Sequence, residues 1–223
     1  MNARKGNQNR PKILISQFNP GSKFAEQYRI IRTNIQYSPN SQGVQSIVVT
    51  SVAPGEGKTT TVANLGAVLA QQGKRVLIVD ADIRKPSLHQ FFDKPNYRGL
   101  TSILLNNYSL DGVVTSTTIK NLDILPSGPL PSSDSDLIGN NNMEHLIENI
   151  KELYDIVIID SPPIIGNADA QVLANICDGS IMVTRSGKTR KDKALEAKNT
   201  LVNCKAKLMG VMLNEKKDAG LVL

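Results

Sequence analysis

"SIVVTSVAPGEGKTTTVANLGAVLAQQGKRVLIVD" (46–80) decides the fold. It opens on "SIVVT" (46–50), an unbroken apolar run of the kind found in a strand covered on both faces. A loop with two glycines, "APGEGKTT" (53–60), leads into a helical pattern over 58–72 and then a second apolar run, "RVLIVD" (75–80). Outward from this unit, strand-like runs recur at 122–126, 155–161, 179–184 and 208–214. Helical patterns fall near 22–37, 142–153, 168–176 and 189–203. The alternation predicts an α/β fold, a mostly parallel sheet with helices on both faces. Ligands of such sheets bind at the carboxyl ends of the strands. No internal repeat is visible, and "PSGPLPSSDSDLIGNNN" (126–142) reads as a surface loop.

The loop carries a candidate phosphate site. Gly55 and Gly57 let the chain curl and approach an anion closely, and the following helix turns its N-terminus and dipole to the same point. The candidate nucleotide contacts are Pro54, Gly55, Glu56, Gly57, Lys58, Thr59 and Thr60. Lys58 would reach the β- and γ-phosphates, and the Thr59 hydroxyl would bind Mg²⁺. The strict pattern has a glycine five residues before Gly57, where this chain has Val52, so the loop is a variant.

Three acids accompany it. Asp160 closes the apolar run "YDIVIIDSPP" (154–163) and suits a metal held through water. "VLIVDADIRKP" (76–86) ends with Asp80, Asp82 and Arg84 two residues apart, which an extended chain points to one side. One acid of the pair can hold the metal's water shell and the other can take a proton from an attacking nucleophile. Lys58, Arg84 and Mg²⁺ would compensate their charge.

Composition narrows the class. The 223 residues are 40% hydrophobic and 21% charged, which suits one large domain with a true core. The net charge of +6 is mild and scattered, and 4% aromatic residues with no Trp give no nucleic-acid platform. Cys177 and Cys204 show no metal-ligand spacing, so a reducing cytoplasmic setting is expected. No apolar run has the length of a membrane-spanning helix. The expected organisation is a basic arm over 1–15, a catalytic domain over 16–215 and a short tail over 216–223.

Together these motifs resemble the bacterial tyrosine kinases of capsular and exopolysaccharide synthesis, in particular the separate soluble chains of Gram-positive bacteria. The variant Walker A is "SVAPGEGKTT", the Walker A′ is "VLIVDADIR" and the Walker B is "IVIIDSPP". "EQYRIIR" (26–32) fits the family's E-x-x-R-x-x-R oligomerisation helix through Glu26, Arg29 and Arg32, and "LDILPSGPLP" fits its SGP-x-P segment. The resemblance implies a P-loop fold akin to septum-site and partitioning ATPases, with ATP and Mg²⁺ as cofactors. It implies Thr59, Asp82 and Asp160 at the metal, Asp80 as base for the tyrosine hydroxyl, and Asn214 against adenine. It further implies a ring-like homo-oligomer, protein tyrosine substrates, and a membrane-bound polysaccharide co-polymerase whose cytoplasmic tail activates the kinase. Two departures stand out: the family's terminal tyrosine cluster has no counterpart after Tyr154, and "PSSDSDL" replaces the family's "PPNPSEL".

Two rival readings remain at this level. A partitioning or septum-type ATPase would carry a second lysine five residues before Lys58, where this chain has Ala53. A nucleotide-binding scaffold with little transfer is the other.

Overall fold

The computed structural model describes residues 14, 21–37, 43–105, 108–131, 137–139 and 141–215. The chain begins with helix α1 (Lys23–Tyr37) and continues through β1 (Ser46–Ser51), α2 (Lys58–Ala70) and β2 (Val76–Asp80). Two short helices follow, α3 (Leu88–Phe91) and α4 (Leu100–Leu104), then a 3₁₀ turn at Leu110–Gly112. The remainder is β3 (Thr115–Ser116), β4 (Leu122–Leu125), α5 (Asn141–Leu153), β5 (Ile156–Asp160), α6 (Ala168–Ile176), β6 (Gly179–Arg185), α7 (Lys191–Asn203) and β7 (Leu208–Asn214).

The strands form one sheet in the order β3-β4-β2-β5-β1-β6-β7. Every pairing is parallel except that of β3 with β4. The expected α/β sheet is thus present, with a two-residue antiparallel edge that sequence reading omits. The strand period of two sorts the core into two layers. Val48, Leu77, Val79, Val157 and Ile159 face α5, α6 and α7 through Met143, Ile147, Leu173 and Leu201. Ile47, Val49, Val76, Ile78 and Ile158 face α2 and α1 through Val62, Leu65, Leu69, Tyr28 and Ile35. Gly66 lets α2 lie close on β2, because a Cβ there would come within 2.5 Å of Ile78 Cδ1. Leu14 is the one described residue of the expected 1–15 arm, and its side chain is buried in this second layer. The 216–223 tail lies outside the described residues.

The stretch read as a surface loop over 126–142 is not all surface. Ser127, Leu137 and Ile138 are buried. The Leu100 and Thr101 amides donate to the Pro126 and Ser127 carbonyls at 2.8 and 2.9 Å, pinning the segment to α4. Residues 132–136 and 140 of that stretch lie outside the described set. The misreading has a simple cause: Pro and Ser mark a turn, yet their carbonyls can still be paired by a neighbouring element.

The strand order places the candidate site. Strand β5 lies between β2 and β1, so Asp80 and Asp160 are direct partners across the sheet and Asp160 also pairs with Val49, two residues before β1 ends. Three consecutive strand ends, β2, β5 and β1, therefore open onto one place, the carboxyl edge where the chain's connections diverge.

Candidate functional site

Strand β1 delivers the loop. Gly55 and Gly57 both adopt left-handed backbone, φ 77° and 99°, so the glycines are required by conformation. Gly57 is required by space as well, because a Cβ would fall 2.1 Å from Asn214 Nδ2. Lys58 starts α2 and is buried, with Thr59 half-buried beside it. Val52, the departure from the strict pattern, is accommodated by Glu56. The Glu56 carboxylate is buried and accepts the Val52 and Ala53 amides at 2.9 and 3.0 Å.

Glu56 was grouped above with the nucleotide contacts. Its side chain instead braces the loop from behind, accepting a short hydrogen bond from the Thr189 hydroxyl, which in turn accepts the Arg185 amide at 2.7 Å. The ends of β6 and β7 add to the grip. Asn214 Nδ2 donates to the Glu56 carbonyl at 2.9 Å, and Arg185 reaches the Gly55 carbonyl at 3.5 Å while pairing with Glu215. Asn214, expected at adenine, lines the cavity edge with both ends of its amide engaged, since Oδ1 accepts the Glu215 amide at 2.9 Å.

The acids lie on the other side of the loop. Asp160 and Asp80 are both buried, and both Asp160 oxygens and Asp80 Oδ1 have no hydrogen-bond partner. Burial, and then Asp80, pushes the Asp160 carboxyl above its usual range, while the nearby Thr59 hydroxyl and Lys58 favour its ionised form. Burial likewise raises Asp80, although its Oδ2 accepts the Ser87 and Leu88 amides at 3.0 and 2.9 Å. Asp82 is raised by burial and held down by Lys58.

The acid pair is divided. Asp80, Asp82 and Arg84 were expected to share one side of an extended chain. Strand β2 ends at Asp80, however, and the chain then turns, the Ala81 amide donating to the Asp160 carbonyl at 2.8 Å. The two-residue period stops there. Asp80 is sealed under α3, whereas Asp82 and Arg84 line an open cleft of ≈ 1070 Å³ together with Gly57, Lys58 and Thr59. The cleft is large enough for a nucleotide. Phe24, Phe91, Met212 and Leu213 add apolar wall. A second, smaller cavity of ≈ 440 Å³ between α1 and β7 is lined by Ile31, Ile35 and Met209 among others, and holds none of the candidate site residues.

The oxygen donors fit Mg²⁺: orphaned carboxylate oxygens and a hydroxyl, with no Cys or His among the described residues that line the cleft. No cluster of three or more His, Cys, Asp or Glu among the described residues would hold a metal by protein alone.

Sequence reasoning missed Ser87, Thr189 and Arg185. Ser87 lines the cleft and its hydroxyl donates to Thr59 Oγ1 at 2.9 Å. The only available signal was a serine after "DIRKP", which reads as a helix N-cap. The helix of the expected oligomerisation motif is present, with Glu26 exposed and paired to Arg29 at 2.8 Å. Arg32 turns inward instead, donating to the Val68 carbonyl of α2 at 3.3 Å.

A left-handed glycine loop at a helix N-terminus, a buried lysine and acids on neighbouring strand ends define a P-loop nucleoside-triphosphatase fold. The sequence profile of a family described as an AAA domain matches residues 44–214. The tyrosine-protein kinase YwqD of Bacillus subtilis is 47% identical over 204 residues, covering 92% of this chain and 86% of that protein. Among solved structures, the chimerical protein CapA2B2 superposes with a TM-score of 0.85 at 42% identity, covering 90% of this chain and 88% of the other. The kinase domain of the Escherichia coli tyrosine kinase ETK gives a TM-score of 0.86 at 27% identity, covering 95% and 84%. The chain belongs to the bacterial tyrosine-protein kinases of capsular and exopolysaccharide synthesis.

Proposed function

We propose that this chain transfers the γ-phosphoryl group of ATP to tyrosine hydroxyls of proteins, copies of itself included, and so regulates polysaccharide synthesis or export. The observation that carries the reading is the buried Lys58 at the floor of an open cleft, beside two buried carboxylates with orphaned oxygens.

The loop amides and the α2 N-terminus bind the phosphates, and Lys58 neutralises charge on the transferring group. Thr59, Asp160 and Asp80 would hold Mg²⁺, the carboxylates through its water shell; the ion, when bound, offsets charge on the β- and γ-phosphates. A base must come within hydrogen-bond reach of the hydroxyl it deprotonates, directly or through one water. Asp80 was expected in that role, but its carboxylate is sealed under α3, and Asp82 faces the cleft. We therefore assign the tyrosine proton to Asp82. The tyrosine oxygen bonds to phosphorus as the bond to the ADP oxygen breaks. Arg84, also on the cleft wall, balances the acid's charge.

The test is phosphate transfer to a tyrosine peptide, read alongside nucleotide affinity. Asp82→Asn should lower transfer by roughly 10²-fold or more with affinity changed only a few-fold. Asp80→Asn should weaken both. The reverse pattern would return the proton to Asp80.

The proposed partner is the cytoplasmic tail of a membrane-bound polysaccharide co-polymerase, and the proposed setting is the cytoplasmic face of the membrane. No described helix is long and apolar enough to cross a membrane. Self-assembly is proposed through the exposed Glu26–Arg29 face of α1. An exposed ion pair adds little stability, so Arg29→Ala should dissociate assemblies in light scattering without lowering the melting temperature.

A further inference from the structure

Ser87 occupies the N-cap of α3, where a serine hydroxyl ordinarily accepts an amide of its own helix. Here it makes no such bond. Asp80 Oδ2 instead holds the start of the helix, accepting the Ser87 amide at 3.0 Å and the Leu88 amide at 2.9 Å, while the Gln90 amide goes to the Ser87 carbonyl at 3.2 Å. The serine hydroxyl is turned away from its own helix. It crosses to the phosphate loop and donates to Thr59 Oγ1 at 2.9 Å. The contact spans 28 positions of sequence and joins the segment after β2 to the first turn of α2.

A hydroxyl has one proton and two lone pairs. Ser87 uses one lone pair of Thr59. The other lone pair remains, and the Thr59 hydroxyl lies beside Asp160, whose ionised form it favours. A threonine hydroxyl that rotates freely would have to be fixed on binding a cation; one already held by a neighbour has met part of that cost.

We propose that Ser87 is a positioning residue for the metal step of nucleotide binding: its hydroxyl fixes Thr59 Oγ1 so that the threonine oxygen is presented to Mg²⁺. This rests on the reading of the loop as a nucleotide site. Asp80, in the same arrangement, anchors the serine backbone. The acid thus has a structural duty that the acid-pair motif alone does not suggest.

The experiment measures the affinity of a fluorescent ADP analogue for the full chain over a range of Mg²⁺ concentrations and again in EDTA. Wild type, Ser87→Ala and Ser87→Thr are compared, with nucleotide-free melting curves for each. Ser87→Ala should raise the Mg²⁺ concentration needed for half-maximal tight binding by roughly fivefold, the weight of one neutral hydrogen bond. Its affinity in EDTA should stay within about twofold of wild type, and Ser87→Thr, which keeps the hydroxyl, should restore the Mg²⁺ response. An unchanged Mg²⁺ requirement in a folded Ser87→Ala variant overturns the inference. So does an equal loss with and without Mg²⁺, which would make Ser87 a residue of loop structure alone. A wild type that does not bind the analogue under any condition overturns the nucleotide reading itself, a result distinct from both.

Discussion

Glu56 and Asp160 are buried carboxylates that flank one phosphate loop, and the fold treats them in opposite ways. Glu56 sits behind the loop and accepts the Val52 and Ala53 amides and the Thr189 hydroxyl. Asp160 sits before the loop with neither oxygen hydrogen-bonded. A buried charge with its partners made locks the local chain in one arrangement. A buried charge without them costs stability and persists where a ligand completes it. The β6–β7 side of the loop is thus built for shape, and the β2–β5 side for a ligand not supplied by the chain.

Removing the cation between loop and acids should break the open side most completely. Lys58→Met is expected to lower nucleotide affinity by roughly 10²-fold or more and to abolish transfer, since a charged contact to phosphate in a partly dry site is lost. Titration of a fluorescent nucleotide checks it, and wild-type affinity in the variant would dissolve the distinction between the two sides.

Breaking the brace should cost stability as well as binding. Glu56→Ala leaves the buried Val52 amide, the Ala53 amide and the Thr189 hydroxyl without their acceptor, an expected loss of about 2–3 kcal/mol in denaturant unfolding. Thr189→Val removes one of those bonds and the acceptor of the Arg185 amide, and should lose about 1–2 kcal/mol. If Glu56→Ala unfolds as the wild type does while losing nucleotide affinity, Glu56 belongs with the ligand contacts and the brace is misread.

The smallest effect should have the opposite sign. Asp160→Asn keeps the shape and removes a carboxyl whose ionisation burial and Asp80 oppose. The nucleotide-free variant is expected to be more stable by about 1 kcal/mol, roughly 2–4 °C in melting temperature for a chain of this size. Mg²⁺-dependent nucleotide binding should fall in the same preparation. A lower melting temperature without ligand would show that Asp160 is a structural residue like Glu56.

What was legible in the sequence was local. Lys58 and Thr59 follow from glycine spacing before a helix, and Asp80 and Asp160 from apolar runs that end in an acid; each signal spans fewer than about ten residues. The same rule limits the reading at Asp82: a period-two partnership with Asp80 needs an extended chain, and nothing in "VDADIR" says that β2 stops at Asp80. The short α3 and α4 were missed as well, too brief to show a helical period.

The parallel α/β sheet and the glycine loop are written in short stretches of the sequence, because hydrophobic period and turn chemistry act over a few residues of chain. Only the tertiary structure decided which acid is open and which is closed, and what holds the loop. Thr189 lies 133 positions from Glu56 and Asn214 lies 158 from it. They meet because β6 pairs beside β1 and β7 beside β6. Strand order is a property of the whole core, set by which apolar faces can be buried together, and no short stretch of chain carries it.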